Sequence, residues 1–284
     1  MKLTELNDRL REGNEPIFMA DMPDDIYRQC IGIAQSDLKL IKDKSLYHFK
    51  NRATHQRKET DALILGRAIH KAIFEWEDFD KDYVTRPKDL NARTKVGKEE
   101  LAKLAEGGKT ILKREDMATI KRLRTSLMRK SDIKDLVTGC QFEKVSFVRH
   151  NERIVKKIKT DGWNPTRKCI VDVKTCLDAS PRAFMRDIFK YGYHFQDAYY
   201  VDVIDEITGC TPDFYIIALE KSFPFEAAIY QLSPKSLAIG RKQYMEEMEK
   251  LDEAIKTNTW PSYTRYNQVS PPAWLEKEAF GDIE

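Results

Sequence analysis

The chain has 284 residues, 41% hydrophobic, 10% aromatic and 33% charged, which supplies a packed core and excludes wholesale disorder. Its 49 basic and 46 acidic residues leave a net charge of +3, so it is no polycation and any nucleic-acid surface has to be a local patch. No run approaches the ~18 apolar residues of a membrane span, and the first thirty residues carry Asp and Glu without an apolar stretch, so neither a membrane partner nor a secretory signal is expected.

The N-terminal third reads as helical. Ser36 is a candidate N-cap for a helix through Asp37, Leu38 and Ile41. A stronger helix is predicted over 60–77, with Leu63, Ile64, Ala68, Ile69, Ala72, Ile73 and Trp76 as its apolar set and His70 among them. Residues 86–114 read as a basic, flexible connection that includes Arg93 and Lys95 and the pair Gly107-Gly108. A helix starting near Glu115 turns Ile120, Leu123 and Leu127 inward. Its other face carries Lys121, Arg122, Arg124, Arg129 and Lys130, either a solvated face or a phosphate-tracking surface.

The period then changes. Residues 142–149 and 153–159 alternate as half-buried strands around a turn at His150-Asn151-Glu152. Asp161 to Pro165 reads as a break, and 169–174 as a short apolar strand. Helices follow over 180–189 and 193–204, then strands over 214–219 and 225–232. Ser233 and Pro234 open a long helix to about residue 256, as N-cap and N1. The last segment, with Trp260, Tyr263 and Trp274, reads as an irregular tail. The order implies a single α/β domain with a mixed central sheet flanked by helices: 1–135 helical, 136–260 the core, 261–284 the tail. Cys30, Cys140, Cys169, Cys176 and Cys210 are odd in number and show no C-x-x-C spacing, which argues for reduced thiols in a cytoplasmic chain and against zinc or iron–sulfur frameworks.

One constellation carries chemistry. Asp172 lies inside an apolar strand, where a buried carboxylate costs several kcal/mol unless compensated. Lys174, two residues on, projects from the same face. The pair is either a plain salt bridge or a metal ligand beside a water-positioning lysine. The same D-x-K string at Asp37/Lys39 and Asp132/Lys134 falls in helical segments, where residues two apart do not face each other. Asp161 ends the preceding strand, and adjacent strands bring it to Asp172 at one edge of the sheet. Two convergent carboxylates suit Mg²⁺ or Mn²⁺. Glu143 is a candidate for a further carboxylate. Tyr191, Tyr193, Tyr199 and Tyr200 form an aromatic cluster suited to packing or to base stacking.

Four blocks in order, LGRAIH at 65–70, KTD at 159–161, IVDVKT at 170–175 and YGYHFQDAYY at 191–200, resemble the RecB-type PD-(D/E)XK nucleases. The resemblance is greatest to the exodeoxyribonuclease VIII (RecE) branch of phage recombination exonucleases. It covers about residues 31–274; Thr160 stands where that family often has Pro. The resemblance implies a restriction-endonuclease-like core. It also implies that His70, Asp161, Asp172 and the Val173 carbonyl hold Mg²⁺ (or Mn²⁺) and that Lys174 orients or deprotonates the attacking water. Gln196 and Tyr200 match its Q-x-x-x-Y motif, turned toward the site and the DNA. It further implies 5′→3′ exonuclease digestion of linear double-stranded DNA leaving 3′ tails for recombination. The implied setting is a homo-oligomeric ring, a RecT-like single-strand annealing protein as partner, and a bacterial or phage-encoded cytoplasmic enzyme. Arg93, Lys95, Arg122 and Arg124 are the candidate phosphate contacts. An endonuclease on the same core and an inactive DNA-binding module stay open as alternatives.

Overall fold

The computed structural model describes residues 3–13, 15–52, 60–88, 90–91 and 93–281. The chain begins with α1 (Leu3–Glu12), β1 (Ile17–Ala20), α2 (Asp24–Gln29), α3 (Gln35–Asp43) and α4 (Leu46–Lys50). Ser36 sits inside α3 rather than capping it; the N-cap is Ala34, whose N–H donates to the Asp37 carboxylate at 2.9 Å. α5 (Asp61–Phe74) starts at Thr60, whose hydroxyl accepts from the Leu63 N–H, and buries Ala68, Ile69, Ala72 and Ile73.

Residues 86–114 are not an open connection. After α6 (Phe79–Asp82) and β2 (Tyr83–Thr85) they hold α7 (Lys95–Leu104) and β3 (Thr110–Leu112), which pairs in parallel with β2. The Thr94 hydroxyl accepts from the Gly97 N–H and caps α7. α8 (Arg114–Met128) lays Met117, Ile120, Leu123 and Leu127 against α5, and α9 (Ser131–Val137) follows.

The C-terminal half of the chain builds two sheets where the sequence suggests one. β4 (Gln141–Phe142) is followed by the hairpin β5 (Val145–Arg149) and β6 (Val155–Lys159), which joins β1 in a separate antiparallel sheet, order β1-β5-β6. The segment read as a turn contains β7 (Gly162–Asn164), a strand made by its tertiary bonds to β4 and β8 (Cys169–Cys176). Then come α10 (Pro181–Tyr191), α11 (Tyr193–Thr208), β9 (Asp213–Glu220), β10 (Ala227–Tyr230) and α12 (Pro234–Thr257), the last capped by Ser233. The tail carries a further helix, α13 (Ala273–Phe280).

The main sheet has the order β10-β9-β8-β7-β4 and is mixed: β8 and β9 run parallel, the other pairs antiparallel. Helices cover both faces, as a central parallel pair requires. With period two, Cys169, Val171 and Val173 of β8 join Ile217 and Leu219 of β9 under α5, α8 and α9. Ile170, with Phe214, Ile216 and Ala218, faces α3, α11 and α12. Asp172 and Lys174 follow Ile170 on that second face.

Candidate active site

β8 is the middle strand, not an edge of the sheet. The opening arises from unequal lengths. β7 pairs only with Cys169, Ile170 and Val171, whereas β9 accompanies β8 to Cys176. Beyond Val171 one flank of β8 therefore has no strand beside it. A buried backbone group left there unpaired costs about a hydrogen bond. Two side chains take the strand's place. Asp161 Oδ2 accepts from the Val173 N–H at 3.0 Å, and His70 Nε2 lies 3.0 Å from the Val173 carbonyl, to which it donates. The other imidazole nitrogen, Nδ1, is 3.4 Å from Asp161 Oδ1. Two blocks about ninety residues apart meet at one residue of β8 because α5 crosses that face of the sheet at β7. The approach is close: a Cβ on Gly162 would stand 2.5 Å from the Phe74 ring of α5.

On the other face Asp172 is only 2% exposed. Lys174 Nζ is 3.0 Å from its Oδ1 and 2.8 Å from its Oδ2, and Gln196 Nε2 donates to Oδ1 at 2.8 Å. The contact to Oδ2 is off the hydrogen-bonding direction, so Oδ2 is buried without a hydrogen bond. The Lys174 ammonium also lies 5.0 Å from the centre of the Tyr193 ring.

Charge settles the protonation states. Burial favours a neutral Asp161, but the imidazole of His70, Lys174 and the Val173 N–H outweigh it and hold the carboxyl down at about 2. Burial also works against a charged His70, and Asp161 overcomes it, raising the imidazole above its usual value. Burial and Asp161 push Asp172 up against the pull of Lys174. Burial lowers Lys174, but the two aspartates more than compensate and raise it. A lysine raised in this way carries its charge beside the two carboxylates at neutral pH.

The Q-x-x-x-Y residues do share a face of α11, with different tasks. Gln196 holds Asp172. Tyr200 is buried and donates to the Lys159 carbonyl at 3.0 Å, bracing the end of β6 just before Asp161. Tyr199 is buried in the core and donates to the Ile33 carbonyl at 2.5 Å; Tyr191 is exposed. The Glu143 carboxylate pairs with Lys159 at 2.6 Å, while its N–H donates to the Asp161 carbonyl at 3.2 Å. Arg93, Lys95 and Arg122 are exposed, but Arg124 is committed: it donates to the Ala72 carbonyl at 3.0 Å and lies over Trp76. Tyr193 is foreseen only as one of an aromatic cluster, and its place beside the Lys174 ammonium is new. Asp197 carries no signal in the sequence, since a buried acid in YHFQDAYY looks like any helix residue.

The donor chemistry fits a hard divalent cation. His70, Asp161 and the Val173 carbonyl touch one another, Asp172 lies near enough for its charge to act on His70 and Asp161, and Asp172 Oδ2 is a buried oxygen without a hydrogen bond. Asp172 is itself held by Lys174 and Gln196, and among the described residues no three His, Cys, Asp or Glu side chains stand in metal-holding geometry.

The chain is similar to a protein named "Putative exonuclease" from Eubacterium rectale. Identity is 14% over 93% of this chain and all of that one, with a TM-score of 0.61. A phage-related exonuclease from Haemophilus somnus 129PT is 15% identical over 73% of this chain and 99% of its own, with a TM-score of 0.32. No curated protein matches the sequence. The first likeness is one of fold, and it agrees with the mixed sheet and its flanking helices. The family described as "PDDEXK-like domain of unknown function (DUF3799)" matches residues 35–268, which span α3 to α12 and every residue of the site. The chain belongs to this family, and with it to the PD-(D/E)XK nuclease superfamily.

Proposed function

We propose that the protein is a metal-dependent deoxyribonuclease of the RecE type that digests linear duplex DNA from its ends, 5′→3′, leaving 3′ single-stranded tails for recombination. The observation that carries the hydrolytic reading is the convergence of His70, Asp161, Asp172 and Lys174 where β8 loses its partner strand. Hydrolysis of a phosphodiester needs an aligned water and stabilisation of a crowded anionic transition state. Asp161, Asp172, His70 and the Val173 carbonyl would hold the cation, Mg²⁺ or Mn²⁺. When bound it supplies an activated water and a charge on the phosphate oxygens. Lys174, charged beside the two aspartates, orients the water and faces the negative charge that develops on the phosphoryl oxygens. Gln196 fixes the Asp172 carboxylate so that Lys174 and the ligand oxygens keep their places. End dependence, polarity, a ring of subunits and an annealing protein as partner rest on the resemblance of the four blocks to that exonuclease branch.

The test is digestion of linear duplexes labelled at the 5′ or the 3′ end, beside a covalently closed circle, with Mg²⁺ and with chelator. Loss of the 5′ label first, intact circles and full inhibition by chelator are expected. Cutting of circles makes the enzyme an endonuclease; absence of any cation-dependent digestion overturns the hydrolytic reading.

A further inference from the structure

Away from the carboxylates, α8 and the turn joining β9 to β10 enclose a groove of about 640 Å³, lined among others by Lys121, Arg122, Arg129, Phe223, Pro224 and Phe225. The groove is a fixed feature. Ser126 Oγ donates to the Phe225 carbonyl at 2.8 Å, and Lys130 pairs with Glu226 at 2.7 Å, so the turn is pinned to the helix. Phe223 is 87% exposed at its rim, an apolar ring left in water. Lys121, Arg122 and Arg129 are exposed too, and none has a carboxylate partner among the described residues.

Both walls of the groove are joined to elements that carry the candidate site. β8 and β9 end together at Cys176 opposite Glu220, two residues or about 7 Å beyond Lys174, and the Phe223 turn follows. α8 is tied to the helix carrying His70 through Arg124 and the Ala72 carbonyl.

Unpaired cations beside an exposed ring are what holds a single nucleic-acid strand: phosphates meet the cations and an unstacked base lies on the ring. Along a duplex the base faces are stacked on one another, so it could offer Phe223 a face only at its two ends. We propose that this groove binds single-stranded DNA, with Phe223 stacking on a base and Lys121, Arg122 and Arg129 neutralising phosphates. That the strand is one of the substrate's own rests on the nuclease reading; the groove's affinity for a single strand does not.

The experiment measures fluorescence anisotropy of the full chain in chelator, with a labelled thymidylate oligomer of about 15 nucleotides or a blunt duplex of similar length. Phe223→Ala, at an exposed position that the fold does not need, is expected to weaken oligomer binding about tenfold and to leave the duplex within about twofold. Replacing Lys121, Arg122 and Arg129 together by Ala is expected to flatten the logarithmic salt dependence of oligomer binding by about two. The proposal is overturned if wild type does not bind the oligomer, if Phe223→Ala binds it as wild type does, or if Phe223→Ala loses oligomer and duplex alike, which makes the surface a duplex contact. Digestion in Mg²⁺ is read separately. A wild type that binds the oligomer and digests nothing overturns the nuclease reading and supports the groove; one that digests while Phe223→Ala binds normally overturns the groove alone.

Discussion

Lys174 is held in its charged form by two carboxylates, and its expected contribution follows. Lys174→Ala removes the cation proposed to face the phosphate and is expected to slow digestion by about 100-fold or more, with circular dichroism and thermal melting showing a folded chain. Digestion at the wild-type rate removes the lysine from the chemistry. Asp197 offers a test of electrostatics. It is 1% exposed; burial, with the Asp172 and Asp202 carboxylates nearby, pushes its carboxyl up to about 8, and Arg241 is spent on Asp202 at 2.7 Å. A folded value above the unfolded one means that stability is fullest below about 4. It falls as pH rises, because the unfolded chain sheds a proton that the folded chain keeps until pH passes about 8. Asp197→Asn is expected to abolish this decline, which is on the order of a few kcal/mol, in urea melts at pH 5 and pH 8. Equal pH dependence in both proteins sinks the assignment.

At the scale of elements, the meeting of α5 and β7 decides where His70 stands relative to Asp161. Gly162 leaves room for Phe74, and Gly162→Ala forces one of them aside. A cost of about 1–3 kcal/mol is expected, and since the displaced elements carry His70 and Asp161, the proposed ligands, cation affinity measured by calorimetry is expected to fall with it. Unchanged affinity in a destabilised Gly162→Ala protein separates packing from ligand placement. The same scale shows what could be read from the sequence. Long periodic helices such as α5, α8 and α12 were legible, the last with Ser233 as its cap, because period and cap chemistry are local. The apolar β8 with Asp172 and Lys174 was legible because a charged pair on a buried strand is costly and therefore informative. β7 was not: Gly-Trp-Asn-Pro has turn chemistry, and only its bonds to β4 and β8 make it a strand. α7 was hidden by its lysines, although Thr94 carried the cap signal. The removal of the β5–β6 hairpin to a second sheet depends on β1, a four-residue strand far away in sequence.

For the whole molecule, the cation is expected to act as a stabilising ligand. Mg²⁺ or Mn²⁺ at about 100 times its Kd adds ~2.7 kcal/mol to a folded chain that alone binds it. The melting temperature is therefore expected to rise with the ion in wild type and to stay unchanged in a protein carrying Asp161→Ala and Asp172→Ala together. A rise of the same size in that double variant places the ion elsewhere. This readout needs neither DNA nor turnover, and it tests the ligand set apart from the chemistry.

The unaccompanied flank of β8 has one more consequence. Asp161 and His70 stand in for a missing strand by gripping Val173. Removing either side chain therefore orphans a backbone group of the central strand, so a substitution at these positions probes the sheet as well as the chemistry, and its effect on folding has to be measured beside its effect on cleavage.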